Sequence, residues 1–121
     1  KGKKYKILKG GFIMKNIEVI QTFIKEEGRE KAKTQHLYID TDNKQLINYN
    51  TVIARINGTE EQTKEIEINV NYYSSTTSRI QANILRVVRY YRNMGKNFIV
   101  VLNGAEKRVE QFEKILKGIN T

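Results

Sequence analysis

The 121-residue chain contains no cysteine, no proline and no tryptophan. Without cysteine it forms neither disulfides nor thiolate metal sites, which excludes disulfide-rich secreted domains and zinc ribbons. Its longest apolar run, residues 98–102, is far too short to cross a bilayer. No charged and then apolar leader with a small-residue cleavage site opens the chain. We therefore expect one cytoplasmic domain without membrane contact.

Acidic residues are absent from residues 68–105, a stretch that holds five basic side chains. Residues 14–67 carry ten acidic and eight basic side chains instead. The net charge of +9 is therefore unevenly distributed along the chain. Such segregation produces a local positive field that attracts anionic partners. Chance placement of the basic residues on a solvated helix face is the alternative.

The other concentration of positive charge is at the N-terminus, where residues 1–13 hold five lysines and no acid. The sequence KGGFIM at residues 9–14 is what translation of a purine-rich ribosome-binding site, a short spacer and a start codon produces. We interpret residues 1–13 as a basic leader, either translated upstream sequence or an added extension. We interpret residues 14–121 as a single domain.

Hydrophobic periodicity predicts an α+β fold with the element order α-β-β-β-α-β-α. Helical spacing of apolar residues predicts helices over about 17–27, 79–94 and 105–117. Alternation or β-branched composition predicts strands over about 37–39, 46–56, 65–71 and 98–102. The predicted core stripe of the second helix is Ile80, Ile84, Val87, Val88, Tyr91 and Met94. Helices packed on a mainly antiparallel sheet would bury these apolar faces.

Catalytic patterns are nearly absent. The single histidine, His36, has no cysteine, serine–aspartate pair or second histidine near it in the sequence, so we interpret it as structural or merely exposed. The element order resembles that of restriction-endonuclease-like nucleases, which need an Asp on one strand and a Glu-x-Lys on the next to hold a metal. Here Glu65 and Glu67 lack the lysine, and Asp40 and Asp42 lie in a preceding turn. We predict no enzymatic activity, no metal and no cofactor, and keep a metal-dependent nuclease as the third hypothesis.

Two segments carry a family resemblance. The sequence NTVIA at residues 50–54 is followed by YSSTTSRIQ at residues 73–81. Together they resemble a family of small uncharacterised phage and bacterial proteins that share Asn-Thr-x-Ile-Ala, a strand, and Tyr-Ser-x-Thr-Thr-Ser-Lys/Arg-x-Gln. The resemblance covers about residues 46–81, and Ile80 stands where many members carry His. It implies a phage or mobile-element origin and a bacterial host cytoplasm.

The Ser/Thr-rich part of this signature precedes the second predicted helix. Thr76, Thr77 and Ser78 can accept hydrogen bonds from the free N–H groups of its first turn. They therefore serve either as a helix cap alone or, with Arg79, as a site for one phosphate. The sequence does not decide between the two.

Further basic and aromatic residues extend this candidate site along the helix. Guanidinium and ammonium groups could follow a nucleic-acid backbone, and tyrosine rings could stack on unpaired bases. These candidates are Arg86, Arg89, Arg92 and Lys96, together with Tyr72, Tyr73 and Tyr90. A solvated helix face is again the alternative.

Two main hypotheses follow. The first is an accessory protein of a phage or mobile element that binds DNA or RNA through an arginine-bearing helix face. The second is a protein inhibitor of a host defence system, similar to an anti-CRISPR protein, that binds an acidic or nucleic-acid-binding protein target. Both hypotheses are compatible with a homodimer.

Overall fold

The structure is a computed structural model that describes residues 7–8, 11–12, 14–58 and 64–119. Strands β1 (Ile7–Leu8) and β2 (Gly11–Phe12) pair as an antiparallel hairpin. The remaining elements, in chain order, are α1 (Asn16–Lys25), β3 (Leu37–Asp40), β4 (Gln45–Asn48), β5 (Thr51–Asn57), β6 (Lys64–Asn69), α2 (Ser75–Asn93), β7 (Phe98–Asn103) and α3 (Glu106–Lys117). The predicted leader lies outside the described residues except for β1 and β2.

Strands β3 to β7 form one five-stranded sheet in sequential order. Neighbouring strands are antiparallel except β6 and β7, which run parallel with α2 as the connection between them. Parallel neighbours require such a crossover, because the chain must return to the end of the sheet at which the first strand began, and a short turn cannot span that distance. The predicted fold, a single α+β domain with a mainly antiparallel sheet, is confirmed.

All three helices end at the same end of the sheet. Glu27, just after α1, forms an ion pair with Lys96, just after α2, at 2.9 Å. Arg89, in the C-terminal half of α2, donates to the carbonyl of Ile115 near the end of α3 at 3.3 Å. We call the opposite end, where β6 and β7 finish and α2 begins, the carboxyl end of the sheet.

None of the helices that the structure describes is both long and apolar enough to cross a membrane.

The core lies between the sheet and the helices. In β6 the side chains alternate, with Ile66 and Ile68 buried and Glu65 and Glu67 on the far face of the sheet. The fully buried apolar side chains include Val19, Ile20, Phe23, Ile24, Leu37, Leu46, Ile53, Ile66, Ile68, Val70, Ile84, Leu85, Val88 and Phe112.

One predicted strand is in fact two. The segment 46–56 forms β4 and β5, joined by a two-residue turn at Tyr49 and Asn50. The turn contains no glycine or proline, and tyrosine is typical of strands, so the sequence pattern conceals it. Tyr49 reaches the turn geometry with a φ of 58°.

The second helix starts earlier and buries a wider face than predicted. It begins at Ser75 instead of about residue 79. Leu85 and Gln81 are fully buried, whereas Met94, predicted to face the core, is 67% exposed. The buried face is wider because α2 packs against both α1 and α3, and Met94 is exposed because α2 ends at Asn93, one residue before it. Ile119 is exposed because α3 ends at Lys117.

Candidate nucleic-acid interface

Ser74 caps the first turn of α2. Its backbone is extended (φ −163°) and its hydroxyl accepts a hydrogen bond from the backbone N–H of Thr77 at 3.1 Å. This is the usual geometry of an N-cap serine. A serine hydroxyl therefore caps this helix, but the capping residue is Ser74 and not Thr76, Thr77 or Ser78, the residues predicted for that role, because α2 begins earlier than predicted.

Thr77 points into the protein. It is 4% exposed, and its hydroxyl donates to the side-chain oxygen of Asn48 at 2.7 Å. The hydroxyl of Ser74 in turn donates to Thr77 at 3.1 Å. The Thr77 hydroxyl is thus engaged inside the molecule, and it ties α2 to the end of β4.

Ser78 and Gln81 belong to a network organised by Arg108 of α3. The Arg108 guanidinium donates to the carbonyl of Val70 at 2.8 Å and to the side-chain oxygens of Ser78 and Gln81 at 3.0 Å each. The amide of Gln81 donates to the carbonyl of Asn69 at 2.6 Å and to that of Asn71 at 2.9 Å. This network holds α2 and α3 to the end of β6.

Other residues at the start of α2 are solvent-exposed. Thr76 and Arg79 are exposed, and Arg79 makes no ion pair or hydrogen bond with any residue in the described ranges. Tyr72 and Tyr73, just before the cap, are 63% and 47% exposed. The Tyr73 hydroxyl accepts a hydrogen bond from Asn69 at 2.8 Å, which fixes the position of its ring.

A third exposed tyrosine lies beside the same turn of α2. Tyr49 follows Asn48, whose side chain contacts Thr77, and it is 52% exposed. Its ring stacks on that of His36, with centroids 4.4 Å apart and planes inclined by 21°. We call the exposed rings of Tyr49, Tyr72 and Tyr73 the aromatic rim. Tyr72 and Tyr73 directly precede the N-cap of α2, and Tyr49 follows the residue that bonds its first turn, so the rim lies beside the N-terminus of α2 at the carboxyl end of the sheet.

Arg86 and Tyr90 continue the exposed face of α2. At about 100° per residue, both lie within about 20° of Arg79 around the helix axis. Arg86 donates to the side-chain oxygen of Asn83 at 3.0 Å, and Tyr90 is exposed. The structure thus gives one exposed stripe of Arg79, Arg86 and Tyr90 leading away from the aromatic rim.

The remaining predicted basic residues are arranged differently. Arg89 is half-buried against the end of α3, where it donates to Ile115. Lys96 is paired with Glu27 in the acidic N-terminal half. Arg92 is exposed in the last turn of α2, about 140° around the axis and about 20 Å along it from Arg79. These three residues therefore do not join the stripe.

The residues invoked for a nuclease are far apart. Strand register aligns Asp40 with Gln45, Gln45 with Arg55, and Arg55 with Glu67. At about 4.8 Å per strand, Asp40 and Glu67 are separated by about 14 Å, too far to share one metal ion. Within the described ranges there is no group of three or more His, Cys, Asp or Glu side chains that could hold a metal.

Sequence reasoning missed three residues of this region. Arg108 lies in a stretch of mixed charge and gave no signal, although it organises the Gln81 network. Tyr49 lies within a predicted strand, and no sequence pattern links His36 to it, because the two rings are 13 residues apart and meet only in the fold. A sequence pattern for two-residue turns without glycine would be needed to place Tyr49 in a turn instead of a strand.

No protein-family model matches the chain, and neither a search of curated proteins nor one of solved structures found a match.

Proposed function

We propose that this protein binds single-stranded DNA or RNA through the aromatic rim and the exposed stripe of α2, as an accessory protein of a phage or mobile element. One observation carries the proposal: three exposed tyrosine rings lie next to a helix start at which Arg79 is also exposed. Proteins that bind single strands combine such rings, on which bases stack, with a basic track for the phosphates.

The electrostatics support an anionic ligand. The described part of residues 68–105 contains no carboxylate, and α2 carries no acid in its first turn. Its free N–H groups and the exposed Arg79 therefore meet an incoming phosphate without a competing negative charge nearby on the same helix. Arg86 offers a second charge on the same face about 10 Å further along the helix.

The position of α2 favours a single strand over a duplex. A helix that reads the major groove must protrude enough to enter it. Here α1 and α3 flank α2 on both sides, so only a shallow face is presented. Exposed tyrosine faces are also useful only to bases that are not already stacked and paired.

The test is fluorescence anisotropy with a labelled oligothymidylate and its RNA counterpart over a range of salt concentrations. Binding should weaken with salt, and Arg79→Ala should reduce the log–log salt slope by about 0.7. Tyr72→Ala should weaken binding about tenfold, as expected for the loss of one stacked base. Duplex DNA of the same length should bind less tightly.

Two controls separate a local site from overall charge. Arg92→Ala changes the net charge as Arg79→Ala does, but lies outside the stripe, so it should have the smaller effect. Replacing Lys3 and Lys4 by Gln tests the basic N-terminal residues in the same way. Absence of binding at low salt, or equal effects of Arg79→Ala and Arg92→Ala, would contradict the proposal.

A protein target is the second candidate, as for an inhibitor of a host defence system. Tyrosine and arginine are enriched where proteins bind one another, and the aromatic rim together with the exposed Arg79 supplies both. Capture of one stoichiometric protein from nuclease-treated host lysate, lost on Tyr72→Ala, would favour this candidate. Loss of all capture after nuclease treatment would favour nucleic acid.

A further inference from the structure

The β4–β5 turn holds Tyr49 in a backbone conformation that a tyrosine disfavours. Tyr49 has a φ of 58°, in the left-handed region where the Cβ of a non-glycine residue crowds the following carbonyl. Two-residue turns usually place glycine, asparagine or aspartate at such positions. A bulky aromatic residue there is unusual, and unusual backbone of this kind clusters at binding sites.

The surrounding structure holds this turn in place. The backbone N–H of Tyr49 donates to the carbonyl of His36 at 2.7 Å, and the side-chain amide of Asn48 donates to the same carbonyl at 3.1 Å. The side-chain oxygen of Asn48 accepts a hydrogen bond from the hydroxyl of Thr77 at 2.7 Å. The turn is thus fixed both to β3 and to the first turn of α2.

Among the described residues, the Tyr49 ring stacks on one other ring, that of His36. The imidazole of His36 lies nearly parallel to it at 4.4 Å, yet Tyr49 remains 52% exposed. One face of the phenol therefore packs on histidine, while much of the ring is still accessible to solvent. A flat, rigid and half-covered ring of this kind is suited to stack on one further planar group.

We propose that Tyr49, backed by His36, is the stacking site for one unpaired nucleobase. The inference rests on the proposed function, and it assigns the base and the adjacent phosphate to different parts of the surface. The base stacks on Tyr49, and its phosphate lies at the neighbouring start of α2, where Arg79 is exposed. No base preference is expected, because every base offers a π face.

The experiment compares two probes of equal length: oligothymidylate and the same backbone with abasic sites throughout. Tyr49→Ala should weaken oligothymidylate binding about tenfold and leave binding of the abasic backbone unchanged. Tyr49→Phe should bind like the parent protein, because it keeps the ring. Tyr38→Ala, which removes an exposed tyrosine from the adjoining strand β3, is the matched control and should have no effect.

Tyr49→Gly guards against misfolding, because glycine adopts the required φ without strain. It should lose affinity as Tyr49→Ala does. A second readout is photocrosslinking of an oligonucleotide containing 5-iodouridine, mapped by mass spectrometry, which should label Tyr49 and not Tyr38.

The outcomes separate this inference from the proposed function. If Arg79→Ala weakens oligothymidylate binding and Tyr49→Ala does not, the base site is overturned while the proposed function stands. Equal loss of both probes on Tyr49→Ala also overturns it, because the ring would then act only through the shape of the turn. If the parent protein binds neither probe, the proposed function itself fails.

Discussion

Thr77 and Asn48, 29 residues apart in the sequence, are joined by a hydrogen bond of 2.7 Å between their side chains. Both are buried, at 4% and 2% exposure. The bond therefore connects the start of α2 to the β4–β5 turn through two buried side chains. It sets the position of Tyr49 relative to the helix N-terminus.

Thr77→Val should lower the free energy of unfolding by about 1–3 kcal/mol, because it leaves the buried oxygen of Asn48 without its donor. Thr76→Val is the matched control: Thr76 is exposed, and its replacement should change stability by less than about 0.5 kcal/mol. Urea denaturation measures both. Equal losses in the two variants would show that the Thr77 bond contributes nothing specific.

A second prediction concerns Glu27, which forms ion pairs with Lys96 at 2.9 Å, Lys64 at 3.0 Å and Arg29 at 3.4 Å. Burial raises the pKa of Glu27, but hydrogen bonds and attraction from Lys96 and Lys64 outweigh burial, so its pKa lies below the ordinary value of 4.5. Glu27→Gln should lower the free energy of unfolding at neutral pH by about 1 kcal/mol. Glu30→Gln, at an exposed acid nearby, should lower it less.

The pH dependence of this effect follows from the lowered pKa. The unfolded chain takes up a proton on Glu27 near pH 4.5, whereas the folded protein does so only at lower pH. The contribution of Glu27 is therefore complete above pH 4.5 and is lost as the pH falls through the folded-state pKa. Urea denaturation of the parent and Glu27→Gln at successive pH values should show their difference shrinking in acid. A difference independent of pH would refute the ion-pair explanation.

Arg108 allows a third prediction, because its guanidinium bonds Val70, Ser78 and Gln81 at once. A lysine ammonium cannot reproduce this planar arrangement of donors. Arg108→Lys should therefore lower the free energy of unfolding by about 2 kcal/mol, measured by urea denaturation. Arg79→Lys, at an exposed arginine, should leave stability nearly unchanged. An Arg108→Lys variant as stable as the parent would mean that water replaces the lost bonds.

The sequence predicts most of the fold because most of its elements have a clear period. The alternation of β6 and the apolar stripe of α2 at Ile80, Ile84 and Val88 are read directly from residue spacing, and the structure has these side chains buried. Gly28 and Gly118, both with positive φ, follow the ends of α1 and α3. The spacing of apolar residues is sufficient to predict a helix or strand when one face of that element is buried and the other is exposed to solvent.

The site was less predictable because its residues meet only in the fold. Asn48, Thr77 and Gln81 are polar and buried, which a hydropathy pattern cannot anticipate. The predicted phosphate site at residues 76–79 mixes two exposed and two inward-directed side chains, and only the strand-to-helix contacts distinguish them. Lys96 forms an ion pair with Glu27, 69 positions earlier. The separation of acidic and basic residues along the sequence therefore overstates how many basic side chains are unpaired in the folded protein.

The strain at Tyr49 gives a fourth prediction. Tyr49→Ala removes the ring stacked on His36 but keeps a Cβ at a φ of 58°. Tyr49→Gly removes both the ring and the steric conflict. The glycine variant should therefore be more stable than the alanine variant by about 1 kcal/mol. Thermal and urea unfolding of the two proteins measure the difference. An alanine variant as stable as the glycine variant would show that the turn relaxes without strain.

The last prediction concerns Glu106, the first acid after the acid-free segment, which is exposed in the first turn of α3. The backbone N–H of Ala105 donates to Asn71 at 2.9 Å, so this turn lies beside Tyr72 and the aromatic rim. A carboxylate there repels a bound phosphate. Glu106→Gln should tighten binding of oligothymidylate a few-fold at low salt, a gain of up to about 1 kcal/mol that declines as salt screens the charge.

Glu113→Gln makes the same change in net charge on the same helix, about 10 Å further from the rim. It should therefore alter affinity less than Glu106→Gln. Glu106→Gln also removes a favourable charge from a helix N-terminus, which should lower the free energy of unfolding by about 0.5 kcal/mol. The same variant is thus expected to bind more tightly while being less stable. Equal gains from the two glutamate replacements would place the nucleic acid elsewhere on the surface, since only overall charge would then be acting.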